Sequence, residues 1–275
     1  MRVIIFLIFI SFSHTGYSAN YYWIGGTGNW NDISHWSTSS GGSVTYPVIP
    51  SATDDVFFDN NSFTSAGQTI TISDDIAYTK NLSFATVVNN PSFRVNANVT
   101  LQIYGSLTYT TNMTVIFLGN INLLSNTPNN NVNFLRHNAC NNLTFDGSGS
   151  WSLQGDIIVR DNIFINSGTV DFGSSVVICR SLKSKTTQTK NVNFGDSKWA
   201  IIGESDDKGY LGDEGNYYSI EIDAANWTSQ ANGAVFDLSH PTAKIYIKSM
   251  GTITLGSVIA SASSGTFEIL NLWDA

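Results

Sequence analysis

Hydrophobic and polar residues alternate along most of the chain. Gln68-Thr-Ile-Thr-Ile72, Asn81-Leu-Ser-Phe84, Ser92-Phe-Arg-Val95, Val99-Thr-Leu-Gln-Ile-Tyr104 and Ser106-Leu-Thr-Tyr-Thr110 put Ile, Leu, Val and Phe on one side and Thr, Ser and Gln on the other. That period of two predicts short half-buried strands. Asn, Gly and Ser break the runs, as turns require. No segment of the mature chain has helical spacing with a capping signal, so very little helix is expected.

The strands also echo one another. Asn142-Leu-Thr-Phe145, then Trp151 and Gly155, resembles Asn191-Val-Asn-Phe194, then Trp199 and Gly203, the Phe residues 49 apart and the Gly residues 48 apart. Further strand runs lie between the two copies, so one echo holds about two turns of roughly two dozen residues, a size suited to a solenoid. Weaker Asn-led copies occur at Asn81, Asn98, Asn120 and Asn131, and Gly251-Thr-Ile-Thr-Leu-Gly256 keeps the rhythm. The expected fold is all-β, a right-handed parallel β-helix with an aromatic-rich N-terminal cap. Asn at the turns would adopt left-handed conformations and hydrogen-bond along the stack. A β-sandwich is the alternative, since strands every 8–12 residues suit it too; the echo favours the solenoid.

Three segments follow from this reading. Residues 1–19 combine one Arg, an apolar run from Val3 to Phe12 and small residues at Ser18 and Ala19. That is a secretory signal peptide, too short in its apolar part to span a bilayer. Residues 20–63 form the cap, and residues 64–275 the repeat region. Secretion is therefore expected, without membrane insertion. The net charge is −8 and only 12% of residues are charged, which argues against nucleic acid and anionic lipid as partners.

Cys140 and Cys179 match no metal-binding spacing. Their separation of 39 would suit a disulfide between neighbouring turns; two buried thiols are the equal alternative. Trp23, Trp30 and Trp36, with Tyr22 beside them, form the densest aromatic group. They read either as a hydrophobic cap over the first turn, with His35 part of it, or as a platform on which sugar rings stack. Asp54, Asp55 and Asp59 could supply oxygen ligands to calcium, although turn-capping by Asp is the simpler account of them. A second acidic stretch, Glu204 to Gly215, interrupts the rhythm and is a further candidate for a binding loop. Asp156, Arg160, Asp161 and Asp171 fall on neighbouring strands, which raises a carbohydrate-active enzyme as an alternative. No nucleophile elbow, phosphate loop or dinucleotide fingerprint is present.

The stretch Tyr21-Tyr-Trp-Ile-Gly-Gly-Thr-Gly-Asn-Trp30, His35-Trp36 and Pro50-Ser-Ala-Thr-Asp-Asp-Val-Phe-Phe-Asp59 to Ser62-Phe63 resembles the N-terminal segment of large secreted adhesin-like β-helix proteins of Bacteroidetes-type bacteria. The Phe-Trp-Gly repeats are similar to that family's style as well. The resemblance implies extracellular or cell-surface deployment, often through a separate C-terminal sorting domain. No such domain is recognisable before Ala275, so either a fragment of a longer product or another export route is expected. Together these readings point to a non-catalytic structural or adhesive module that binds glycan or a cell-surface protein, with a passive stalk as a further alternative.

Overall fold

The computed structural model describes residues 18–135, 137–184, 186–202, 219–238, 244–248, 253–259 and 268–272. Residues 1–17 of the stretch 1–19 expected to be a signal peptide, the acidic stretch 204–215 and Gly203 of the second echo lie outside them. Among the described residues the structure is a stack of short strands in about eight turns, with a single 3-10 turn at Ile33–His35. Every strand pairing among the described residues is parallel except that of Asn20–Trp23 with Trp36–Ser37 and the Ser37–Thr45 bridge beside it. A β-sandwich would need antiparallel neighbours throughout, so the fold is a parallel β-helix.

Each turn visits three faces in a fixed order. The first face runs from Trp36–Ser37 and Asn20–Trp23 through Asp55–Phe57, Leu82–Ser83, Leu107–Thr108, Asn130–Asn133, Ser150–Gln154, Gly168–Asp171 and Lys190–Gly195 to Trp227–Ala231. The second face is made of two sheets, one from Gly28–Asn29 to Thr114–Phe117 and one from Asn138–Cys140 to Ser257–Ile259. The third runs from Ile76–Thr79 to Glu268–Leu272.

Alternation sets the inside and outside of every rung. On the third face Ala77, Leu101, Ile121, Leu143, Ile163, Leu182, Ile220 and Ile245 stand in one inward column, all buried. Successive members are 24, 20, 22, 20 and 19 residues apart as far as Leu182, then 38 apart to Ile220. One turn thus carries almost a second turn's worth of chain, and the strand after it resumes register. In the sequence, the acidic stretch Glu204 to Gly215 lies between Leu182 and Ile220.

Asparagine supports the stack in two ways. Asn89, Asn90, Asn98, Asn129 and Asn226 hold positive φ at corners, where a short polar side chain tolerates the left-handed region. Asn120, Asn142 and Asn162 form a ladder: the Asn142 amide donates to Asn120 Oδ1 (3.0 Å), the Asn162 amide donates to Asn142 Oδ1 (3.1 Å), and Ser181 Oγ donates to Asn162 Oδ1.

The two echoed segments occupy different positions in the turn. Phe145 lies on the third face and Phe194 on the first; Trp151 lies on the first and Trp199 on the second. A separation of 49 is two turns plus the length of one face. The echo reports the solenoid period approximately and its phase not at all.

Candidate functional site

The Trp-rich segment folds over the N-terminal end of the stack. Trp23, Trp30 and Trp36 are each 0% exposed, with Trp36 edge-on to Trp23 at 4.9 Å and to Trp30 at 4.8 Å, and Phe58 packed beneath all three. Trp23 Nε1 donates to the Gly26 carbonyl (2.7 Å) and Trp36 Nε1 to the Trp30 carbonyl (2.6 Å). The expected sugar platform at these three Trp residues is therefore corrected: a ring with no exposed surface cannot stack on a ligand, and the indoles form the cap. His35 belongs to it, lying on Trp23 with centroids 4.4 Å apart and planes 4° from parallel. Trp36–Ser37 also covers the backbone edge of Asn20–Trp23, which would otherwise be open to another chain.

Glycine spacing in the opening motif follows from this packing. Gly25 and Gly26 have φ of +82° and +77°, a region that penalises a Cβ. A Cβ on Gly28 would come within 2.1 Å of His35 Nε2, so the imidazole occupies the space a side chain would take.

The three carboxylates proposed for calcium do not converge. Asp54 accepts from the backbone N–H of Ala19 (3.0 Å) and of Ser51 (2.9 Å) and from Ser51 Oγ (2.6 Å), tying the start of the first strand to the loop. Asp55 accepts from the Asn81 amide (2.7 Å). Asp59 accepts from the Asn61 N–H (2.9 Å) and from Ser62 Oγ (3.3 Å). Among the described residues no group of three His, Cys, Asp or Glu side chains could hold a metal. Each carboxylate serves its own turn or rung contact, which corrects the calcium expectation.

The disulfide expectation is corrected as well. Cys140 and Cys179 are buried free thiols. Cys140 is in register with Val159, and the strand carrying Val159 lies between those of the two cysteines. They are two rungs apart, about 9.5 Å at the usual inter-strand spacing, whereas a disulfide needs Cα atoms within about 7 Å. A separation of 39 counts two short turns rather than one long one. Burial pushes both thiols well above the ordinary thiol range.

The acidic residues of the middle turns are also dispersed. Asp156 precedes the second-face strand Ile157–Val159 and accepts from the Val176 N–H (3.0 Å); Asp161 follows that strand at the next corner. Asp171 sits on the first face, accepting from the Gly173 N–H (2.9 Å) and the Asn193 amide (3.0 Å).

What the fold does bring together is the outward side of the first face. One row runs Asn131, Ser152, Asp171, Asn193, Gln230, and a second runs Ser150, Thr169, Asn191, Thr228, in rung-by-rung register. Toward the cap the first row continues through hydrogen bonds: Asn131 N–H to Ser106 Oγ (3.0 Å), Ser106 N–H to Asn81 Oδ1 (2.6 Å) and the Asn81 amide to Asp55. A shallow groove of about 290 Å³ lies against Thr169, Asn191, Asn193, Thr228 and Gln230. A second, about 260 Å³, adjoins it through the shared Thr169 and Asn191 and reaches Ser148, Ser167 and Gln188. These rows hold two carboxylates, Asp55 and Asp171, and no cation. Alternating triplets such as Asn131-Val-Asn133 and Asn191-Val-Asn193 were visible in the sequence; their alignment was not, because it depends on turn lengths.

No protein-family model, curated protein or solved structure matches the chain.

Proposed function

We propose that this is a secreted or cell-surface adhesive module, non-catalytic, that binds uncharged glycan along the first face of its β-helix. The observation that supports this most is the outward pair of rows from Asn131 to Gln230, where amide and hydroxyl groups recur once per rung. Both amides and hydroxyls donate and accept, as sugar hydroxyls do. The rung spacing of about 4.8 Å is close to the advance per sugar of an extended β-linked polysaccharide. A chain of like units can therefore meet a column of like side chains. The signal-like leader and the resemblance of the opening motif to adhesin-like proteins of Bacteroidetes-type bacteria agree with extracellular work.

The test is to mix the protein with insoluble cellulose, β-1,3-glucan and mannan, and to follow both depletion of protein and release of reducing ends. Depletion without released ends, lost in a Thr169→Glu/Asn191→Glu/Thr228→Glu variant of unchanged melting temperature, is the expected result. Released ends, or depletion that survives the variant, would overturn it.

A further inference from the structure

One outward column of the first face begins with two aromatic residues and continues with two short ones. Tyr22, Phe57, Ser83 and Thr108 stand in register on successive strands, followed by Asn133 and Gln154. Tyr22 and Phe57 are both partly exposed, and their rings stack at 5.1 Å with planes 19° apart. Tyr22 covers one side of Phe57, so the other side is turned along the column toward Ser83. The side chain drops there from a phenyl ring to a hydroxymethyl group. The result is a step two rungs long, about 10 Å, with an aromatic wall at the cap end and hydroxyls for a floor. Beside it runs the row Asp55, Asn81, Ser106, linked by the hydrogen bonds already described.

We infer that this step is a terminal sugar subsite, in which one pyranose ring of a neutral β-linked glucan lies against Phe57 over Ser83. This rests on the glycan-binding reading of the first face. A pyranose presents an apolar C–H face and a rim of hydroxyls. The first matches an aromatic ring, and the second matches Asp55, Asn81, Ser83 and Thr108. The step opens onto the polar rows through Asn133 and Gln154, whose amide donates to Asn131 Oδ1 (3.1 Å), so a chain seated at Phe57 continues along the same face. The wall also sets an end: beyond Tyr22 lies the antiparallel cap strand, with Ser37 opposite, and the rung pattern stops. Tyr22 was singled out in the sequence with the Trp residues and is the one member of that group that reaches the surface. Phe57 was not.

Binding of cellohexaose to the purified protein, measured by calorimetry, tests this. Phe57→Ala is expected to weaken binding at least fivefold and Ser83→Trp, which fills the step, at least tenfold, with Tyr22→Phe unchanged and the melting temperature of Ser83→Trp within a few degrees of the parent. Saturation-transfer NMR is expected to place the strongest ligand contact on the terminal sugar. Cellohexaose that binds the parent, loses affinity in Asn191→Glu and keeps it in both Phe57→Ala and Ser83→Trp would overturn the subsite and leave the polar face standing. No binding of cellohexaose, laminarihexaose or mannohexaose by the parent would overturn both.

Discussion

Tyr22 and Trp23 are adjacent in the chain and face opposite ways. Trp23 points into the first turn with Trp30, Trp36 and Phe58, has no exposed surface and satisfies its N–H on a loop carbonyl. Tyr22 points outward, stacks on Phe57 and keeps part of its ring in solvent. Both are large aromatics in a Gly-rich segment, and only the strand's alternation separates them. Aromatic density therefore marks a cap in this protein, while aromatic register on a polar face marks the candidate site.

That contrast breaks first at Trp36. Trp36→Ala removes the ring that joins Trp23, Trp30 and Phe58, and should cost about 3–5 kcal/mol, read as a large fall in the urea midpoint; a variant of parental stability would mean that the indoles are not the cap. A smaller loss, about 1–2 kcal/mol, is expected for Asn162→Ala, which removes the acceptor of Ser181 Oγ and one of the two donors to Asn142 Oδ1, the backbone N–H of residue 162 remaining as the other. Tyr22→Ala, by comparison, removes one exposed cross-strand pair and should cost no more than about 1 kcal/mol. A cost as large as that of Trp36→Ala would show that Tyr22 is a core residue.

The cap also has a pH signature. Burial, then the Asp54 carboxylate and then Tyr46, pushes the Tyr21 phenol up to about 12. A raised phenol means that the fold holds the neutral form, so this contribution is complete below about pH 10 and lost as the pH rises through about 12. Tyr46 and Tyr109 are raised in the same direction, so Tyr21→Phe should flatten the alkaline fall in melting temperature without abolishing it. An unchanged slope would contradict the burial of Tyr21 beside Asp54. The smallest effect is expected from reductant: dithiothreitol should leave the melting temperature unchanged, and both thiols should react with Ellman's reagent only after denaturation. A shift on reduction would place Cys140 and Cys179 on adjacent rungs and contradict the register.

Much of the architecture was legible because it depends on local alternation. Asn81-Leu-Ser-Phe84 and Val99-Thr-Leu-Gln-Ile-Tyr104 show their buried faces without any knowledge of their neighbours. Phase was not legible, because third-face turns of 19 to 25 residues and one of 38 share the same strand vocabulary. The same variation misled the Phe145–Phe194 echo and the Cys140–Cys179 pairing: both separations suggested an equivalence that the register removes. Burial of the Trp residues was open at the sequence level, since a cap and a platform use the same residue types. The reach of Asp54, Asp55 and Asp59 was likewise undetermined, because each answers to a partner that only the folded loops provide. The polar rows of the first face were the hardest to see, being made of the residues that any solvent-facing strand carries.

Hydrogen exchange with and without cellohexaose tests the central claim most directly. The account predicts slowed exchange confined to first-face strands, from Asp55–Phe57, Leu82–Ser83, Leu107–Thr108 and Asn130–Asn133 to Ser150–Gln154, Gly168–Asp171, Lys190–Gly195 and Trp227–Ala231, and none at the second or third face. Protection centred on the second or third face, or on the loop carrying Trp30, would contradict it.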